Sequence, residues 1–156
     1  MLLQTKAAIT RYCEYQERCH SEVRNKLYEL GCTTPEVEDG IAGLIEIGLL
    51  NEERFARAYA RGKFRMKQWG REKIKQHLKL KKISDFCIKK GLSEIDAEEY
   101  DRILQKLMEK KLNELKGERS EMVLKSKIYR YIVQKGYERD IVIDLLNNMI
   151  KEKKKY

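Results

Sequence analysis

The chain has little that stops a helix. Among 156 residues there is one proline, and there are nine glycines. That composition excludes collagen-like and linker-like chains and most turn-rich all-β designs. Only ten consecutive residues, Ile41 to Leu50, come near an apolar run, and they include Glu46. A membrane span needs roughly 18 or more, so no contact with a membrane is expected. The first twenty residues lack the basic-then-apolar layout of a secretory signal, and a soluble cytoplasmic protein is the expectation. Four cysteines, Cys13, Cys19, Cys32 and Cys87, form no Cys-x-x-Cys pair. Their spacing, even with His20, fits none of the usual zinc patterns, so no metal site is expected and the thiols should stay reduced. Two histidines, His20 and His77, leave little material for acid–base work. No nucleophile motif, Walker-type phosphate loop or GxGxxG is present. Neither catalysis nor a cofactor is expected.

Charge is abundant and unevenly placed. Charged residues make up 38% of the chain and the net charge is +9. Residues 1–53 carry −5, residues 54–90 carry +12, and residues 91–156 carry +2. In the middle segment 14 Lys and Arg face only Glu72 and Asp85. Such density repels itself unless a polyanion or an acidic surface lies opposite. A merely solvated basic face is the plainer alternative.

Apolar spacing is helical from end to end. A first helix is expected over about residues 5–17. Ser21 can cap a second, with Val23, Leu27 and Leu30 on one face and Gly31 as its stop. Thr34 can cap a third, with Pro35 in the first helical position. The fourth starts at Asn51-Glu52-Glu53 with the stripe Phe55, Tyr59, Gly62 and Met66. The fifth carries Ile74 and Leu78. Ser84 caps a sixth, Asp96 with Glu99 a seventh, and an eighth follows Ser120. The ninth shows Ile141, Leu145 and Met149, and the terminal Lys-Glu-Lys-Lys-Lys-Tyr should fray.

These nine helices group in threes. Val23, Ile74 and Ile128 align, followed four residues on by Leu27, Leu78 and Ile132. Eight on come Gly31, Lys82 and Gly136. The expected fold is all-α: three tandem three-helix, helix-turn-helix-like repeats over 1–50, 51–94 and 95–156, stacked as an elongated, curved array. Its radius of gyration should exceed the ~15 Å of a compact globule of this length. A single compact bundle is the alternative. Sequence-specific DNA reading is disfavoured. The sixth helix offers only Lys89 and Lys90 to a groove, and the third presents Glu36, Glu38, Asp39 and Glu46, which phosphates repel.

Taking about 100° per residue, Arg57, Arg61 and Arg65 form a row opposite the stripe that begins at Phe55. Arg54 lies beside that row. Arg71, Lys75, Lys79 and Lys82 form a second row on the next helix. Packing requires none of these cations, and two such rows suit phosphates or an acidic groove. Trp69, between them, serves either as packing between modules or as an anchor or base-stacking platform.

Several segments together resemble the RecX family of recombinase regulators. Gly48-Leu49-Leu50-Asn51-Glu52-Glu53-Arg54-Phe55-Ala56-Arg57-Ala58-Tyr59 is similar to its signature. Ser21-Glu22-Val23-Arg24-Asn25-Lys26-Leu27, Trp69-Gly70-Arg71-Glu72-Lys73-Ile74-Lys75-Gln76-His77-Leu78 and Gln134-Lys135-Gly136-Tyr137 resemble further motifs in the family's order. Lys82 stands where the family's second repeat usually has glycine, and Lys135 replaces its usual arginine. The resemblance covers about residues 6–150 and implies three tandem repeats. It also implies a non-enzymatic protein that binds the RecA filament on single-stranded DNA and lowers its ATPase, strand-exchange and coprotease activities in DNA repair and the SOS response. On this reading Arg57, Arg61, Arg65, Trp69, Arg71, Lys75 and Lys79 are the candidate filament- or DNA-binding residues, and the protein is a monomer. A non-specific nucleic-acid-binding helical protein without a recombinase partner is the alternative.

Overall fold

The computed structural model describes residues 1–154, with side chains described to residue 152. Among them are nine helices and no strand: α1 (Leu3–Tyr15), α2 (His20–Glu29), α3 (Thr34–Glu46), α4 (Glu52–Lys67), α5 (Arg71–Leu80), α6 (Asp85–Leu92), α7 (Ala97–Glu114), α8 (Glu121–Gln134) and α9 (Arg139–Lys154). The terminal Lys155 and Tyr156 lie outside the described residues, while Lys151–Lys154 continue α9 rather than fraying.

The fold is an all-α repeat, and its period is visible in the backbone. Val23, Ile74 and Ile128 are each fully buried, as are Leu27, Leu78 and Ile132. At the third aligned position Gly31, Lys82 and Gly136 all adopt positive φ, at 88°, 62° and 104°. In each copy the next amide reaches back to the second aligned residue. Cys32 N–H donates to the Leu27 carbonyl, Ile83 to Leu78 and Tyr137 to Ile132. This is one helix-ending motif used three times, with a left-handed residue satisfying the last carbonyls. Glycine enters that region freely, whereas Lys82 enters it at a cost of about 1 kcal/mol.

Caps explain the helix starts and correct several expected ones. Ser84, Asp96 and Ser120 accept from Cys87, Glu99 and Val123 N–H. The third helix is capped by Thr33, not Thr34. Glu36 closes the box, and Pro35 sits in the first turn without its N–H being missed. The second is capped by Cys19, which pairs with Glu22, not by Ser21. The Ser21 hydroxyl instead donates to the Lys81 carbonyl at 2.8 Å.

The chain forms two compact units, Met1–Ala60 with His77–Glu94, and Arg61–Gln76 with the chain from Ile95 on. The boundary between them falls inside α4 and inside α5. In the first unit Ile9, Cys13, Val23, Leu27, Val37, Ile41, Leu44 and Leu50 pack into one core. Gly91 of α6 lies so near α4 that a Cβ there would stand 2.6 Å from the Ala56 carbonyl oxygen. In the second unit the Phe64, Tyr100 and Tyr137 rings stack at centroid distances of 5.8 and 5.0 Å. Two expected stripes are displaced. On α4 the buried face is Phe55, Ala56, Ala60 and Phe64, while Met66 is 86% exposed. On α9 it is Val142, Leu146 and Ile150, one residue on from Ile141, Leu145 and Met149.

Candidate cationic surface

In the second unit the turn between α4 and α5 meets the turn between α8 and α9. Gly70 N–H donates to the Lys135 carbonyl and Glu72 N–H to that of Gly136, both at 2.8 Å. The Tyr137 hydroxyl donates to the Gln68 carbonyl at 2.8 Å. The fully buried Tyr100 accepts from Arg71 N–H and donates to Glu138. Burial first, then the Glu138 carboxylate, pushes the Tyr100 hydroxyl well above the usual phenol range. Glu138 also takes the Arg71 guanidinium at 2.8 Å. That guanidinium lies 3.9 Å from the Tyr100 ring centre.

This junction presents Trp69, which is half-buried. The ammonium groups of Lys63 and Lys73 stand 5.0 and 4.5 Å from its ring centre, within cation–π range. Lys135 donates to the Lys67 carbonyl at 3.1 Å. Partial burial, then the charges of Lys73 and Lys110, lowers the Lys135 ammonium below the usual lysine range. Cations this close oppose one another and favour an anion among them. Lys63, Lys73, Lys110 and Lys135 were not among the residues singled out from sequence. Lys73, four residues from Trp69, and Lys135, a departure from the family motif, were the available signals.

The residues chosen from sequence divide by what they touch. Arg71 belongs to the Glu138 network just described. In the first unit Arg57 bonds Glu94 at 3.1 Å and Glu53 at 3.4 Å. Arg54 bonds Glu17 at 2.7 Å and the Gly48 carbonyl at 2.9 Å. Arg65 and Lys79 are exposed and Lys75 is half-buried. None of the three has an ion-pair partner among the described residues. Arg61 is half-buried. Lys82 lies beyond the end of α5, in its left-handed turn. The first unit also holds a hollow of about 550 Å³ of opposite character, with Glu36, Asp39 and Glu46 around Ile9, Leu44 and Ile47. Hydrogen bonds from Thr33 and the terminal ammonium hold the Glu36 carboxyl down at about 2.

Three-helix repeats with cations gathered about an indole define a helical-repeat protein with a surface suited to anions. Two family models match in series, described as the second three-helix domain of RecX over residues 51–92 and the third over 98–146. The chain belongs to the RecX family, for it is also 36% identical over 151 residues to a "Regulatory protein RecX" of Clostridium perfringens (strain 13 / Type A), covering 94% of this chain and 70% of that one. The protein of the same name from Mycobacterium sp. (strain JLS) is 26% identical, over 92% of this chain and 80% of its own. The crystal structure of RecX from Lactobacillus salivarius superposes with a TM-score of 0.82 at 26% identity, covering 95% of each chain. A second RecX crystal structure reaches the same score at 22% identity and supports the fold alone. Membership makes this a regulatory protein of that family. No helix among the described residues is long and apolar enough to cross a membrane.

Proposed function

We propose that this protein binds the RecA filament on single-stranded DNA and lowers its ATPase, strand-exchange and coprotease activities. It acts as a cytoplasmic monomer of three repeats, over 1–50, 51–94 and 95–156, without a cofactor or catalysis of its own. The observation that carries the reading is the cationic surface about Trp69, in a chain of the RecX family. A filament on single-stranded DNA offers both phosphates and acidic side chains to such a surface. In the second unit the contacts are Trp69, with Lys63 and Lys73 beside its indole, and, elsewhere on α4 and α5, the cations Arg65 and Lys75. Lys79 is the freer cation of the first unit. Arg57 and Arg71 contribute less, because carboxylates of this chain already hold them.

The test is ATP hydrolysis by the cognate recombinase on single-stranded DNA while this protein is titrated in. Inhibition well below the amount needed to cover the DNA is the expected result. Inhibition only at saturating coverage would favour a coating protein with no recombinase partner. Nuclease, protease or nucleotidase activity that follows the folded protein through purification would overturn the non-enzymatic reading.

A further inference from the structure

The third repeat carries a second cationic face that the basic middle segment does not account for. On α8, Ser126, Tyr129, Arg130, Val133 and Gln134 follow the spacing i, i+3, i+4, i+7, i+8, which places them on one stripe. That stripe lies opposite the buried Leu124, Ile128 and Ile132. With Arg139 of α9 it lines a hollow of about 300 Å³. No carboxylate lines it, and none of its polar side chains has a hydrogen-bond or ion-pair partner among the described residues. Across the same stripe lies a second hollow of about 220 Å³, between α7 and α8, which shares Arg130 and Gln134 with the first. Lys111, Lys127 and Tyr131 complete its polar wall, with the Lys111 ammonium 4.6 Å from the Tyr131 ring centre. Lys111 and Lys127 also pair with Glu114 and Glu118, at 3.4 and 3.5 Å, so Arg130 is the cation of this hollow without a carboxylate partner among the described residues.

Each hollow thus has one tyrosine and flanking cations, and one arginine serves both. A lone small anion has no use for the second half of this arrangement. A polymer that alternates flat rings with negative charges does. We infer that this face of α7, α8 and α9 is a contact for single-stranded nucleic acid, with two successive nucleotides straddling Arg130. Arginine forks match phosphate oxygens, and a tyrosine face accepts a base of any identity. Duplex fits poorly, because its bases are already stacked on one another. The inference rests on the reading that the protein works on a single-stranded nucleoprotein filament. It adds a direct nucleic-acid contact in a repeat with little net charge.

The experiment is fluorescence anisotropy of a labelled oligothymidylate with the full chain, over a salt series. Arg130→Gln/Arg139→Gln should weaken binding about tenfold and flatten the salt dependence by about 1.4, at roughly 0.7 per phosphate contact on single strands. Arg130→Lys/Arg139→Lys should keep the wild-type slope. Tyr129→Ala should weaken binding by about five- to tenfold, whereas Tyr129→Phe should bind as wild type does. Circular dichroism checks that each variant is folded. The inference is overturned if the wild-type protein fails to bind the oligonucleotide at low salt. It is equally overturned if the double glutamine variant keeps wild-type affinity and slope, or if duplex competes as well as single strand. Recombinase ATPase, measured in parallel, separates this from the proposed function. Wild-type binding lost in the variants, without any effect of the wild type on the recombinase, would uphold this contact and remove the regulatory reading. Inhibition by the wild type, with variants that bind DNA unchanged, would do the reverse.

Discussion

Gly70→Ala should be among the most damaging single-methyl additions this fold can receive. The glycine is needed for space and not for an unusual backbone angle. A Cβ there would lie 2.3 Å from the Gly136 carbonyl carbon and oxygen and 2.4 Å from Tyr137 N. Those are backbone atoms, so no side chain can swing aside. Relief requires parting the two turns, which also opens the 2.8 Å bonds from Gly70 to Lys135 and from Glu72 to Gly136. Overpacking costs about 1–3 kcal/mol, and each lost hydrogen bond about 1 kcal/mol more. The expected loss is about 4 kcal/mol. With a urea dependence of about 2 kcal/mol per molar, the midpoint should fall by about 2 M. Trp69 is the neighbouring residue and the chain's one tryptophan, so its fluorescence reports unfolding at this junction. Gly62→Ala, in the same unit, is the control with opposite sign. A Cβ at Gly62 meets nothing within 4 Å, so alanine inside α4 should stabilise by about 0.5–1 kcal/mol. If Gly70→Ala unfolds at the wild-type midpoint, or Gly62→Ala loses as much as Gly70→Ala, the close-approach reasoning is wrong.

Two further outcomes are expected. Arg71→Gln should cost about 1.5–3 kcal/mol in chemical denaturation, since it removes a charged hydrogen bond to Glu138 and the contact with the Tyr100 ring. Exposed Arg65→Gln should stay within about 0.5 kcal/mol, and equal effects of the two substitutions would contradict a structural role for Arg71 alone. Tyr100 and Tyr137 are both held protonated by burial, their hydroxyls raised above the usual range. Their contribution to stability is therefore complete below the unfolded tyrosine value of about 10 and declines as pH rises beyond it toward their folded values. Tyrosinate absorbance followed with circular dichroism should show these two ionising only as helix is lost. Full ionisation of all nine tyrosines in a still-helical protein would refute that.

Much of this molecule was legible in its residues, because helix formation and helix ending are local. Ser84, Asp96 and Ser120 before their helices, and the alignment of Gly31, Lys82 and Gly136, concern neighbours a few positions apart, and the structure keeps them. Even the departure at Lys82 was absorbed there, as a lysine in the left-handed turn its glycine counterparts occupy. Caps were read one or two residues late at Ser21 and Thr34, where adjacent residues of similar chemistry compete for one role.

Other features depended on partners far along the chain. Phe55, Tyr59, Gly62 and Met66 are evenly spaced, yet the other elements packed on α4 bury only Phe55 of these, together with Ala56, Ala60 and Phe64. A smooth apolar series gives no sign of which part a neighbour will cover. A charge row has the same weakness. Arg57 and Arg71 read like Arg65 by helical angle, but Glu94 lies 37 residues from Arg57 and Glu138 lies 67 from Arg71. The lysines of that junction likewise come from separate elements: Lys63 of α4 and Lys73 of α5 stand at Trp69, and Lys110 of α7 and Lys73 act on Lys135 at the end of α8. By itself the sequence determined where the chain is helical, where each helix stops and that the pattern recurs three times, because backbone dihedrals, caps and apolar period act over one or two turns. Only the tertiary structure decided which cations are already neutralised, because most of the carboxylates that hold them lie tens of residues away along the chain.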